Sequence, residues 1–305
     1  MPSLRIVFMG TPDFAVPSLD ILVQHGYTVA AVITAPDKPR GRGLEVTPPP
    51  VKQYALSHGL QVLQPANLKD PQFQAELRNL KANLQVVVAF RMLPEAVWAM
   101  PALGTFNLHA SLLPQYRGAA PINWAIINGE HETGVTTFFL QQEIDTGNII
   151  FQEKEPIFDT DDAGTLYERL RLKGAHLVLK TVQAIEAGNC PSQPQTTAAP
   201  LKTAPKIFRN TCRINWQQPA ASIHNLVRGL SPYPAAWTTW NGKTYKIFKT
   251  LVLPRSFSSE PGTIQTDHKT WLHVQTASGS IAVLELQPEG KKRMSVQEFF
   301  RGNKL

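Results

Sequence analysis

At 305 residues the chain is about twice the length of a common single domain, so one large domain or two ordinary ones is expected. With 43% hydrophobic and 17% charged residues, 19 glycines and 25 prolines, it can bury a sizeable core, which excludes a disordered chain, a collagen and a coiled coil. The formal net charge of +7 is uneven: residues 1–205 carry 16 Lys and Arg against 18 Asp and Glu, and residues 206–305 carry 14 against 5. A basic excess confined to the last third points to a polyanion such as nucleic acid, or else to a basic solubility face.

The apolar run at the start is cut short by Gly10 and Pro12, too early for a signal peptide, and no segment approaches eighteen consecutive apolar residues. Cys190 and Cys212 are too few for a disulfide framework or a four-cysteine zinc site. A cytoplasmic protein is expected.

Leu4–Met9 and Thr28–Ile33 read as buried strands with a helix over Pro17–His25 between them, and Gly10-Thr-Pro-Asp13 as a strand-to-helix turn. His25 and His58, each before a glycine, read as helix ends. Gln85–Phe90, with three consecutive valines, lacks polar alternation, as a strand covered on both faces would. Gly104–His109 and Gly134–Leu140 continue the series. Leu166, Leu170, Leu177, Val178 and Ile185 recur at helical spacing, with Gly188 as a stop. Alternation of strand and helix predicts a Rossmann-like, doubly wound α/β sheet in an N-terminal domain, with the site beyond the carboxyl ends of its strands.

Residues 187–206 hold four prolines and almost no large apolar side chains, so they read as a linker, and the charge changes sign there too. Beyond it a helix carries Ile223, Leu226, Val227 and Leu230. Ala236–Trp240 and Lys243–Phe248 flank Asn241-Gly242, a strong hairpin signal because both residues tolerate positive φ. Gly262–Thr266, Trp271–Gln275 and Ser280–Leu286 follow. One helix and about five strands predict a small OB-like β-barrel. The division is therefore an N-terminal domain over 1–188, a linker over 189–206 and a C-terminal domain over 207–305.

The familiar phosphate-loop, zinc-protease and serine-hydrolase motifs are absent. Asn107 and His109 alternate at the end of a strand, so both face the same way. A carboxamide donor beside an imidazole suits acyl transfer: the amide can bond an oxygen that gains charge, and the imidazole can carry a proton near neutral pH. Asp145 follows another strand and can orient that imidazole. No Ser, Cys or Lys is placed as a nucleophile, so the attacking group would come from the substrate. Read from spacing alone, the same residues also fit a structural role.

The run Asn107-Leu-His-Ala-Ser-Leu-Leu-Pro114, then Arg117-Gly-Ala-Ala-Pro121, with Asp145-Thr-Gly147 further on, resembles the formyltransferases that use 10-formyltetrahydrofolate. Within that family, Val7-Phe-Met-Gly-Thr-Pro-Asp-Phe-Ala-Val-Pro17, Pro36-Asp-Lys-Pro-Arg-Gly-Arg-Gly43 with Thr47-Pro-Pro-Pro-Val-Lys52, Arg213-Ile-Asn-Trp216, Arg228-Gly-Leu-Ser-Pro232 and Leu286-Gln-Pro-Glu-Gly-Lys-Lys-Arg-Met294 are similar to the branch that formylates a charged tRNA. The resemblance implies transfer of the formyl group to the α-amine of methionyl initiator tRNA, with Asn107, His109 and Asp145 catalytic. It implies that Ser111, Leu112, Leu113, Pro114, Phe90, Arg91 and Met92 meet the folate. It also implies that Lys38, Arg40, Arg42 and Lys52, in a basic loop over 35–52, meet the tRNA. No metal is implied, and a monomer is expected. The family more often has glycine where Arg91 stands and arginine where Gln115 stands; an arginine there implies backbone that does not need positive φ. The alternatives are a small amine acceptor, such as glycinamide ribonucleotide or an amino-sugar nucleotide, and a non-catalytic RNA-binding protein.

Overall fold

The computed structural model describes residues 3–40, 45–196, 200–254 and 259–305. The chain divides into two compact units. The first comprises Met1–Arg117, Gly134–Glu155 and Glu168–Lys202, and the second Gly118–Thr133, Pro156–Tyr167 and Thr203–Leu305.

The first unit is built on a seven-stranded sheet in the order Ile149–Pro156, Glu132–Phe139, Thr105–His109, Leu84–Val88, Arg5–Gly10, Thr28–Ile33, Val62–Leu63. The last five of these run parallel. Ile6, Val7, Phe8, Met9, Val86, Val87 and Val88 are buried, which is what a strand covered on both faces requires. The chain builds outward from Arg5–Gly10 to one side, then crosses to the other with Leu84–Val88. Ligands bind doubly wound sheets where the strand order reverses in this way, outside the carboxyl ends. Gly10, Val88 and His109 end three neighbouring strands there.

Glu132–Phe139 departs from the expected parallel series, because it pairs antiparallel with Thr105–His109. A parallel return needs a crossover helix laid along the sheet. The helix in this connection, Pro121–Ile127, belongs to the second unit instead, where the Asn123 carboxamide donates to the Gly229 carbonyl. The chain therefore re-enters the sheet running the other way.

One other segment differs from the sequence expectation. The 35–52 stretch contains a two-stranded hairpin, Lys38–Arg40 against Glu45–Thr47, and then the start of the helix Pro50–Ser57. Pro50 opens that helix because a first-turn residue has no intrahelical use for its N–H. His25 and His58 do end helices, before Gly26 and Gly59 at φ +74° and +66°.

The long helix Ala163–Glu186 buries Leu166, Leu170, Leu177, Val178 and Ile185. At Gly174 it comes so close to the sheet that an added Cβ would lie 2.6 Å from the Leu108 side chain. The missing side chain seats the helix on the strand that carries Asn107 and His109.

In the second unit, Ala236–Trp240, Lys243–Leu253, Ser280–Pro288, Leu272–Gln275 and Ile264–Thr266 form an antiparallel sheet in that order, with Met294–Ser295 paired to Ser280–Pro288. Asn241 and Gly242, at φ +48° and +74°, turn the first hairpin as expected. The register shifts twice around Lys249, bending the long strand, and bulges of this kind curl a sheet toward a barrel. Ile223, Val227 and Leu230 of the helix Ala220–Leu230 fill its concave side with Ile247, Val274 and Leu286, giving an OB-like domain.

Phe106 is fully buried directly beside Asn107. Phe106→Ala is expected to lower unfolding free energy by about 3–5 kcal/mol in urea titrations, and a loss under about 1 kcal/mol would show that the strand is not locked by this ring.

Candidate active site

Asn107 and His109 project from one face of the Thr105–His109 strand. The two differ in their surroundings. His109 is 7% exposed, and its Nε2 lies 2.9 Å from the Tyr116 carbonyl oxygen. A carbonyl oxygen only accepts, so Nε2 carries the hydrogen and the tautomer is set by the backbone. Nδ1 is then the nitrogen that gains or loses a proton, and the Asp145 carboxylate faces it at 3.9 Å. Asn107 is half-buried, and among the described residues its carboxamide has no hydrogen-bond partner. A donor left free beside a proton-carrying imidazole is suited to an oxygen that gains charge during reaction.

Two turns bring these groups together. Tyr116 reaches its carbonyl position with φ +60°, and its N–H donates to the Lys202 carbonyl at 2.7 Å. Asp145 sits at φ +55° in the turn before Gly147. A Cβ on Gly147 would overlap the Phe139 carbonyl oxygen, so only glycine lets this turn close against the end of the Glu132–Phe139 strand.

Ser111–Pro114 forms a tight turn beside the same strand end. The Ser111 hydroxyl donates to the Gln115 carbonyl at 2.7 Å, and the Thr136 hydroxyl donates to the Ser111 carbonyl at 2.6 Å. The Gln152 carboxamide donates to the Leu113 carbonyl and to Thr136 Oγ1 at 2.9 and 3.0 Å. Ser111 and Leu113 are buried by these bonds, while Leu112 and Pro114 stay partly open. Thr136 and Gln152 escaped the sequence reading because they are single polar residues inside strands with no motif around them.

Phe90, Arg91 and Met92 follow the Leu84–Val88 strand; Met92 is 71% exposed. The residue of this segment in left-handed backbone is Ala89, at φ +48°, and not Arg91. The Arg91 guanidinium donates to the Pro65 and Ala66 carbonyls and lies 5.6 Å from the Phe90 ring, and burial lowers its pKa. It is thus tied to the neighbouring loop. Gln115, the other departure, donates to the Pro200 carbonyl at 3.2 Å and accepts from the Lys202 N–H at 2.8 Å.

Lys38 is exposed on the hairpin, and Arg40 ends the same strand. Lys52 is ion-paired with Asp37 at 2.6 Å, and hydrogen bonds from Lys52 and Gln64 hold the Asp37 carboxyl below its ordinary range. Arg42 lies outside the described residues. In the second unit, the Arg209 and Arg213 guanidinium groups lie 5.6 and 5.7 Å from the Trp237 ring centre, and Lys206 lies 5.7 Å from that of exposed Phe208.

Among the described residues no group of three His, Cys, Asp or Glu side chains is placed to hold a metal ion, and no helix is long and apolar enough to cross a membrane.

A doubly wound sheet with an amide–imidazole–carboxylate cluster past its strand ends, followed by an OB-like domain, is matched by two family models. Residues 4–182 match the formyl transferase model and residues 206–304 its C-terminal domain, so the chain belongs to the formyl transferase family. It is 57% identical over 311 residues to a methionyl-tRNA formyltransferase of Parabacteroides distasonis, covering 99% of this chain and 96% of the relative. It is 55% identical over 307 residues to the enzyme of that name from Bacteroides fragilis, covering 98% and 95%. In fold it is similar to an N-formyltransferase from Helicobacter canadensis solved with folinic acid and dTDP-3-aminofucose, at TM-score 0.70 and 21% identity, covering 95% of this chain and all of that one.

The Asn107 and Gly147 environments predict unequal stability effects. Asn107→Ala should unfold within about 0.5 kcal/mol of the unsubstituted protein, since no internal bond is lost. Gly147→Ala should cost about 1–3 kcal/mol through overpacking, as read by thermal or urea unfolding. A large loss at Asn107 would mean that its carboxamide is structural.

Proposed function

We propose that this protein transfers the formyl group of 10-formyltetrahydrofolate to the α-amine of methionyl initiator tRNA, in the cytoplasm, for translation initiation. The observation that carries the reading is the Asn107 carboxamide, without a partner among the described residues, beside His109, whose Nδ1 faces Asp145. The relatives of that name at 55–57% identity over nearly the whole chain support the acceptor.

The folate, when bound, supplies the formyl carbon. Ser111, Leu112, Leu113 and Pro114 form one wall for it, and Phe90, Arg91 and Met92 the other. Partly open apolar surface at Phe90 and Met92, just past a strand end, fits a flat heteroaromatic ring. Attack by the methionyl amine forms a new C–N bond to the formyl carbon, and the bond from that carbon to N10 breaks. Asn107 Nδ2 and the proton on His109 Nδ1 bond the formyl oxygen while it carries charge. Asp145 holds that imidazole and takes part in moving the proton lost by the amine toward N10. Both oxygen contacts form mainly in the transition state, so their removal lowers turnover more than affinity.

In this reading residues 1–188 are the catalytic domain, 189–206 the linker and 207–305 the tRNA-binding domain, and the enzyme acts as a monomer. Lys38, Arg40, Arg42 and Lys52, in the basic stretch over 35–52, meet the acceptor stem. The Arg209–Trp237–Arg213 cluster presents cations with an aromatic face, a combination suited to nucleic acid, and the basic excess of the last third acts with it.

The test is a formyl-transfer assay with 10-formyltetrahydrofolate and four acceptors: methionyl initiator tRNA, methionyl elongator tRNA, glycinamide ribonucleotide and a UDP-amino sugar. Formylation of the initiator tRNA alone is expected, with Asn107→Ala reducing kcat on the order of 10²–10³-fold. Transfer to a small amine would overturn the acceptor, and a loss under about fivefold would remove Asn107 from the chemistry.

A further inference from the structure

Gln195 lies in the proline-rich stretch after the long helix, where composition suggests a chain free of specific contacts. Its carboxamide instead makes four hydrogen bonds. Oε1 accepts from Arg117 Nε at 3.1 Å and Nη2 at 2.7 Å, and Nε2 donates to the carbonyl oxygens of Asp145 and Gly147, both at 2.8 Å. Two residues earlier, Gln193 and Ile149 exchange backbone hydrogen bonds at 2.8 and 2.9 Å, so the strand of chain carrying Gln195 is fixed in register against the same turn.

The chemistry of this junction is directional. An arginine has donors only, so Arg117 selects the oxygen end of the carboxamide and leaves the nitrogen end facing the two carbonyls. The two hydrogens on Nε2 match the two carbonyl oxygens one for one. The turn they grip holds Asp145 in left-handed backbone, a conformation that Asp adopts more readily than most side chains but that does not by itself fix where its carboxylate points. Clamping the carbonyls of residues 145 and 147 fixes the peptide planes beside Asp145, and with them the direction in which its carboxylate leaves the chain.

We propose that Gln195 and Arg117 are a positioning pair for Asp145, holding its carboxylate against His109 Nδ1 without touching either substrate. The proposal rests on the formyl-transfer reading, and it gives the segment after the long helix Ala163–Glu186 a role in the reaction through Asp145.

The test uses Gln195→Ala and Gln195→Glu in the full chain. The glutamate keeps a partner for Arg117, and so protects the fold, but sets an oxygen against two carbonyl oxygens. Both variants are expected to lower kcat roughly 10- to 100-fold, the scale set by a small displacement of a catalytic group, with KM for folate and tRNA nearly unchanged. In an Asp145→Asn background the same substitutions should cost less than about threefold, because there is no carboxylate left to position. Amide exchange across residues 145–149 should rise about tenfold in Gln195→Ala, as expected for two lost hydrogen bonds. Equal losses in both backgrounds, a change in KM alone, or unchanged exchange would each overturn the proposal. Absence of formyl transfer by the unsubstituted protein to any acceptor would instead sink the formyl-transfer reading, and the exchange measurement would then decide by itself whether Gln195 holds the turn.

Discussion

The bond from His109 Nε2 to the Tyr116 carbonyl organises the site, because a backbone oxygen permits only one direction of donation. Once it is made, the imidazole has a single nitrogen available for proton exchange, and that nitrogen is the one Asp145 faces. The carbonyl itself must be held, which explains why Tyr116 is kept in left-handed backbone with its N–H bonded to Lys202. The ring cannot turn over without breaking this bond and taking the imidazole donor away from the Tyr116 carbonyl. A side chain that would otherwise be a two-way switch is thereby given one orientation by main chain alone.

The rest of the first unit can be seen as the means of keeping that strand end still. Gly174 lets the long helix settle on Leu108, Gly147 lets the Asp145 turn fold onto the Phe139 carbonyl, and Thr136 and Gln152 hold the Ser111–Pro114 turn from the next strands. Each support reaches the site from a different element, so the geometry is set by packing and hydrogen bonds outside any single motif. Against this stiff background Asn107 stands out as a polar side chain with no partner among the described residues.

Much of this was legible in advance, for physical reasons that differ from residue to residue. The buried strands announced themselves through unbroken β-branched runs, and Asn241-Gly242 through its tolerance of positive φ. Asn107 and His109 could be paired by the two-residue period of a strand. The antiparallel return of Glu132–Phe139 was not legible, because it depends on the Pro121–Ile127 helix packing in another unit. Nor were the tautomer of His109 or the support from Thr136, Gln152 and Gln195, since backbone carbonyls and isolated amides leave no mark in a pattern of side-chain types. The hairpin inside the 35–52 stretch was hidden by its prolines, which read as loop although Pro39 sits in the middle of the three-residue strand Lys38–Arg40, paired only with Glu45–Thr47 among the described residues.

The unpartnered Asn107 carboxamide also bears on how such a protein is shaped by selection. Nothing in folding rewards an asparagine there, so pressure for expression or heat resistance alone is indifferent to its loss, and a drift to a nonpolar residue would go unnoticed by any survey of folded protein. Only pressure on turnover sees the position. A library sorted first for solubility and then for activity would therefore separate the two demands at residue 107, while at Gly147 both sorts would reject the same variants.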